Sequence, residues 1–475
     1  MLPDCAKAEV GRINERVSSI LSGGLTPLSP GGKAAWIVFC LTCVQLAFLS
    51  PYVVVIPGER ANVFSAILCA VSLGLAVAFG RKNSACARPS EIVISLILLV
   101  LVLLSGLFSL TPGSSSVRGF TVLASGLGGF WCARILLGSP ERQSYFLGLC
   151  IFLLCGILVL SAASMAISGS IFQYVDSHWH PVADRLILLT FAPLALLGTN
   201  SRWGTVAAVL LLFGSYIILL FGARTAAMGS AVVIPIILCL FAAVLWEWRF
   251  KQIVVLLIVM FMVSLVAGNH FFYHDPNLVK KWGKGGESVA YRAENIFFSW
   301  KIATDHPLLG IGLLAPREKI LESYQPRYPY VSKETFSQWT NRLRTSENMF
   351  FTFLADLGFP FTAIYTACVI ILLFRLLRMV FHPPIEFVFH PLALLLPISG
   401  AVLHYQVVDG LLHPQLSWFF HILLGLVPVS TPLVKTSAVR GANVLLRVAA
   451  FAVIVAAGLS LGRLLPPGFP LSFSR

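Results

Sequence analysis

Uncharged apolar runs of membrane-spanning length recur along this chain, and no other feature constrains its fold as strongly. The run at 92–110, IVISLILLVLVLLSGLFSL, holds no charged residue, and about 20 such residues cross a hydrocarbon layer of about 30 Å as a helix. Inside that layer the backbone must satisfy its own hydrogen bonds, which only helices and closed β-barrels achieve. A barrel strand would alternate apolar and polar residues over about 10 positions, whereas these runs are continuous. The sequence therefore predicts an all-α fold, a polytopic transmembrane helical bundle. Composition agrees. The chain is 57% hydrophobic and 11% charged, with mean hydropathy +0.86, against about 25% charged residues in a soluble domain. Soluble enzymes, disordered tails and disulfide-stapled secreted domains are excluded together.

The runs give about twelve or thirteen spans, near 34–56, 62–80, 90–110, 117–137, 145–168, 183–199, 204–222, 225–246, 252–270, 347–374, 387–403, 416–433 and 444–463. With the N-terminus inside, Arg81, Lys82 and Arg88, Arg134 and Arg142, Arg249 and Lys251, Arg375 and Arg378, and Lys435 and Arg440 all fall on the cytoplasmic side. That is the positive-inside pattern, and it accounts for part of the +14 net charge without a nucleic-acid partner. Four regions follow. Residues 1–33 form a cytoplasmic leader with no signal-peptide cleavage pattern. Its Val10, Ile13, Val17 and Ile20 beside Lys7, Arg12 and Arg16 suit an amphipathic helix, with a disordered tail as the alternative. Residues 34–270 are the first part of the bundle, 271–346 a large loop outside the cytoplasm containing short helices, and 347–475 the second part. The loop is rich in Lys and Arg, yet long domains cross despite their charge. Trp282, Tyr291, Trp300, Tyr324, Tyr328, Tyr330 and Trp339 argue that it is ordered and can stack on sugar rings.

Several residues can carry chemistry. Arg224 sits in FGARTAAMG between two apolar runs. At the bilayer centre an Arg costs about 2.5–3.5 kcal/mol on the insertion scale, so it is either a snorkelling residue in a tight external turn or an anion clamp. Arg292 opens RAENIFFSWKIATDHPLLGIG. The spacing of Tyr291, Ile296 and Trp300 predicts a helix on or near the membrane surface, which Pro307 ends. Gly310 and Gly312 then allow tight turns or close backbone approach. TSENMFFTFLADLG enters the next span, where Ser346 or Thr345 can cap the helix and its dipole favours Glu347. Alternatively Glu347 is a general base held near Arg224 and Arg292.

Metal chemistry finds no support in the pattern. His178 and His180 lie in DSHWHPVADR with Asp176 and Asp184, but no compact ligand set follows, so a solvated or gating loop is the better reading. The ten cysteines fall mostly inside apolar runs. Cys40 and Cys43 form a C-x-x-C with no second pair. Neither a Walker motif nor a G-x-S-x-G elbow occurs.

Taken in order, GARTAAMG, the Arg292 segment ending in DHPLLGIG, and SENMFFTFLADLGF resemble the bacterial O-antigen ligase and Wzy-type polysaccharide polymerase superfamily, over residues 185–376. The resemblance implies a glycosyltransferase of the bacterial inner membrane that works on its periplasmic face, without metal or cofactor. The donor would be an undecaprenyl-pyrophosphate-linked glycan, and the acceptor a glycan or lipid A-core; membrane lipid is the other partner. It places Arg224 and Arg292 on the pyrophosphate as binding and catalytic groups, Glu347 in catalysis, and His306 and Asn348 in substrate binding. A guanidinium suits the first role, since it offers permanent charge and paired hydrogen bonds to phosphate oxygens. Ligases of the family place His before Asn at the start of the following span. Here Glu347 precedes Asn348, which tilts the expectation from lipid A-core ligase towards a polymerase of O-antigen or exopolysaccharide repeats.

The alternative is a multi-pass transporter or flippase for a lipid-linked glycan. Such proteins often show repeat symmetry or broken helices in both halves, and the sequence shows neither. A peptidoglycan polymerase of the shape-and-division type would share the lipid donor but not the DHPLLGIG and SENMFF landmarks.

Overall fold

A computed structural model describes residues 29–48, 58–79, 89–110, 112–168, 180–197, isolated positions between 204 and 215, 285–313, 348–381, 389, 391–405 and 410–427. Its helices are α1 (Pro30–Phe48), α2 (Gly58–Phe79), α3 (Pro89–Leu107), α4 (Pro112–Leu136), α5 (Pro140–Ser168), α6 (His180–Leu189), α7 (Phe191–Leu197), α8 (Gly285–Asp305), α9 (Met349–Phe381), α10 (Pro391–His404) and α11 (Pro414–Gly425). A short 3₁₀ turn, Gly410–Leu412, precedes α11. No strand occurs among the described residues. Among them, five helices are long and apolar enough to cross a membrane. The protein is thus an all-α, multi-pass membrane protein. Residues 1–28 of the leader, the runs at 225–246, 252–270 and 444–463, and His178 lie outside the described residues.

Proline sets where many helices begin. α1, α3, α4, α5, α10 and α11 each start on one, because its fixed φ suits the first helical position and its missing N–H would be unpaired there anyway. In α1 and α5 a serine stands just before. Ser29 Oγ accepts the Gly32 N–H at 3.1 Å, and Ser139 Oγ accepts that of Arg142 at 3.5 Å. Each serine satisfies one of the orphan donors of the first turn. The helices of the fourth and fifth spans consequently begin at 112 and 140, ahead of the apolar runs at 117 and 145.

Packing centres on α4, which lies against α2, α3 and α11. The α4–α11 contact is close because α4 carries Gly126, Gly128 and Gly129. A β-carbon at Gly129 would sit 2.5 Å from the Trp418 carbonyl oxygen, so small residues let the two backbones approach, as is common between membrane helices. Trp418 is fully buried. From it an aromatic ladder runs through Phe39, Phe146 and Phe191 to Phe389, with ring centroids 4.9–6.2 Å apart. Cys43 belongs to this core, its Sγ accepting the Trp418 Nε1–H at 3.5 Å. Arg134 pairs with Glu91 at 2.8 Å and donates to the Val427 carbonyl. It thereby ties α3, α4 and the end of α11 together.

The short sixth run is interior. It divides into α6 and α7 at Thr190, and every residue from 185 to 195 is buried. From Leu186 the stretch is apolar on all sides apart from Thr190, and such a helix belongs in a core as readily as in lipid. Arg185 is 3% exposed and donates from Nη1 to the Ala47 carbonyl at 2.9 Å. α10 covers both short helices and also reaches α9 and α11.

Candidate functional site

Two stretches far apart in sequence, DHPLLGIG after α8 and ADLGFP within α9, form one structural unit. α9 is broken at Gly358, whose φ of 81° and ψ of 176° are not helical. The break leaves backbone groups without helical partners. The Ala355 carbonyl would normally take the Phe359 N–H, and the Asp356 carbonyl would take that of residue 360, which is proline and has none. The turn after α8 meets each need. Ile311 N–H donates to the Ala355 carbonyl at 3.1 Å, Gly312 N–H to the Asp356 carbonyl at 3.0 Å, and Phe359 N–H to the Pro307 carbonyl at 2.8 Å. Ser105 Oγ on α3 adds a second donor to the Asp356 carbonyl at 2.9 Å. Leu110 N–H donates to the Ile311 carbonyl at 3.1 Å, which fixes the turn to the α3–α4 connection. Left buried and unmatched, each such group costs about 1–3 kcal/mol.

Glycine makes that approach feasible. Gly310 has φ +63°, and a β-carbon there would lie 2.3 Å from the Asp356 carbonyl carbon. Gly358 has φ +81°, and its β-carbon would lie 2.6 Å from the Leu308 carbonyl carbon. Each glycine is required by the backbone of the other segment. The close approach expected of Gly310 is therefore present, and its partner is α9.

The break also redirects α9. Phe353 and Tyr365 are twelve residues apart, about 18 Å along a straight helix, yet their rings are 5.4 Å apart; Phe353 meets Phe361 at the same distance. The arm 349–357 is thus folded sharply against the arm that follows. Its N-terminus is capped by Asn348, whose Oδ1 accepts the Phe351 N–H at 3.2 Å. Met349 N–H donates to the Tyr405 carbonyl at the end of α10, at 2.8 Å. The capping role offered by sequence to Ser346 or Thr345 falls to Asn348, one of the predicted substrate-binding residues.

The other predicted residues are placed as follows. Arg292 lies in α8, three and seven residues before Asn295 and Ser299, both buried. His306 follows α8 directly, half-buried, its carbonyl accepting the Gly310 N–H at 3.0 Å. Arg224 and Glu347 lie outside the described residues. α8 packs on α9, with Trp300 edge-on to Phe359 at 5.7 Å. The structure therefore joins the helix of Arg292, the His306 turn and the Asn348 arm through backbone bonds.

Residues 209–366 match the family model described as Wzy_C, O-antigen ligase. Over that stretch the chain is similar to the O-antigen ligase domain. The stretch spans about a third of the sequence and contains α8, the 306–313 turn, the capped arm and the break at Gly358 whole. The resemblance drawn from GARTAAMG, DHPLLGIG and SENMFFTFLADLGF is borne out. A search of curated proteins finds no match for the chain.

Sequence reasoning missed three features of the site. Tyr405 supports the start of α9 through its carbonyl, a contact no side-chain pattern signals. Ser105 is one small residue in an apolar run and carries no motif. Asn295, 2% exposed, was not singled out; its place on the i, i+3, i+7 stripe with Arg292 and Ser299 was the available signal.

Proposed function

We propose that the protein is a membrane glycosyltransferase of the O-antigen ligase and polymerase type, taking its glycan from an undecaprenyl-pyrophosphate-linked donor at the periplasmic face of a bacterial inner membrane. The observation that supports this most is the junction between the 306–313 turn and the break in α9. It holds the helix of Arg292 and the arm beginning at Asn348 in one fixed relation, as a two-sided site needs. In this reading Arg224 and Arg292 bind the pyrophosphate and offset the charge that grows on it as the bond to the sugar breaks. Glu347, next to the capped end of α9, takes the proton of the acceptor hydroxyl as that oxygen attacks the anomeric carbon. The products are the extended glycan and the free lipid pyrophosphate. No step in this scheme calls for a metal. His306 contributes to binding near the turn, and residues 271–346 cover the sugars.

A polymerase of repeat units is preferred to a lipid A-core ligase because Glu347 stands where family ligases carry His. The test is a product gel from the full chain in lipid nanodiscs, given undecaprenyl-pyrophosphate oligosaccharide with or without lipid A-core, beside the Arg292→Ala variant. A ladder without core means polymerase, and a single shifted band that needs core means ligase. No covalent product under either condition, together with movement of the lipid-linked glycan across a vesicle membrane, would instead establish the flippase reading. The discontinuities at Thr190 and Gly358 lend that reading some support. The one at Gly358 is nevertheless filled by the 306–313 turn.

A further inference from the structure

We infer that Asn295 is an additional substrate-binding residue, its amide nitrogen held ready for an oxygen of the lipid pyrophosphate. The identity of the ligand rests on the function proposed above; the observation does not. Asn295 is 2% exposed, and its Nδ2 is a buried donor that meets no acceptor among the described residues. Folded proteins rarely leave such a group unmatched, and an exception calls for a ligand, ion or water. Packing gives no reason for an amide here. Of its buried neighbours along α8, Phe298, Ile302 and Ala303 are apolar, and the polar one, Ser299, does not accept from Nδ2.

The chemistry of the group limits what it can receive. An amide NH2 only donates, so its complement is an acceptor oxygen and not a cation. Asn295 follows Arg292 by three residues, and positions three apart share one face of a helix. A pyrophosphate gripped at Arg292 has further anionic oxygens, and a hydrogen bond to a charged oxygen is stronger than one to a neutral sugar hydroxyl. The pairing explains why a buried donor is kept beside a position proposed to bind phosphate.

The experiment measures binding of undecaprenyl pyrophosphate, without sugar, to the full chain in nanodiscs, for wild type, Asn295→Leu and Asn295→Asp, alongside melting temperatures. Leucine keeps the volume and removes the donor. Because no internal bond is lost, the melting temperature should hold or rise while affinity falls about tenfold or more. Aspartate replaces the donor by a charge of the wrong sign and should weaken binding further. Equal affinity in wild type and Asn295→Leu overturns the inference, as does a wild type that fails to bind. A melting temperature that falls in Asn295→Leu overturns it too, since the amide would then have an internal partner. Binding that depends on Asn295 in a protein that transfers no glycan would support the inference and refute only the proposed reaction.

Discussion

Gly310→Ala tests the junction most directly. The added methyl would stand 2.3 Å from the Asp356 carbonyl carbon, where ordinary contact begins near 3.4 Å, so the turn or α9 must retreat by about an ångström. Retreat breaks the bonds from Ile311 and Gly312 to the Ala355 and Asp356 carbonyls, now 3.1 and 3.0 Å long. Each is worth about 0.5–1.5 kcal/mol net, rising to about 1–3 if the carbonyl is left buried and unmatched. Holding alanine at φ +63° adds about 1–2 kcal/mol. The Asp356 carbonyl keeps Ser105 as a donor, so the total runs from about 2 to about 6 kcal/mol, read as a loss of several degrees in the melting temperature of the purified protein in nanodiscs. Gly358→Ala strains the same junction from the other side, so the double variant should fall short of the sum of the single losses. A Gly310→Ala protein that melts with wild type, or strictly additive losses, would refute the account of the turn as a filler for the break in α9.

Three further perturbations follow from the packing. Gly74 on α2 has open space where a β-carbon would stand, so Gly74→Ala should leave the melting temperature unchanged or raise it, by about 0.5–1 kcal/mol in stability. Asn348→Ala removes the cap and should lower stability by about 1 kcal/mol; Asn348→Asp keeps an acceptor oxygen and should melt with wild type, so any transfer it loses measures contact with substrate. Arg134→Leu removes the ion pair of the largely buried Glu91 and should destabilise by about 3–5 kcal/mol. Adding Glu91→Gln should recover much of that loss in the same melt.

The bundle was legible because hydropathy reports a physical requirement, the burial of continuous apolar runs. Helix starts were less so. Apolar windows begin where the side chains turn greasy, whereas Pro112 and Pro140 begin their helices earlier by fixing φ. The break in α9 escaped for a related reason: an average over Met349–Phe381 is apolar throughout, though Gly358 and Pro360 stand visibly inside it. For the site, the strings around Arg224, Arg292 and Glu347 carried the family and their order. What they did not carry was contact. That Gly310 needs a near neighbour is a local fact about glycine; that the neighbour is Asp356 depends on a return of the chain which no local pattern encodes.

The junction also bears on the departure at Glu347. DHPLLGIG and ADLGFP act mainly through backbone carbonyls, amides and glycine conformations, so they present the start of α9 in the same way whatever side chain precedes Asn348. The frame and the base are then separable, and in the proposed mechanism Glu347→His should retain transfer while Glu347→Gln loses it. The two bases differ in when they are ready. Imidazole loses its proton at higher pH than a carboxylic acid, and a general base works only when deprotonated. The acid limb of the rate profile should therefore move to higher pH in Glu347→His, measured as glycan product against pH at fixed donor. An unmoved limb, or activity kept by Glu347→Gln, would remove Glu347 from the reaction while leaving the junction intact, because nothing in the hydrogen bonds from Ile311, Gly312 and Phe359 depends on that side chain.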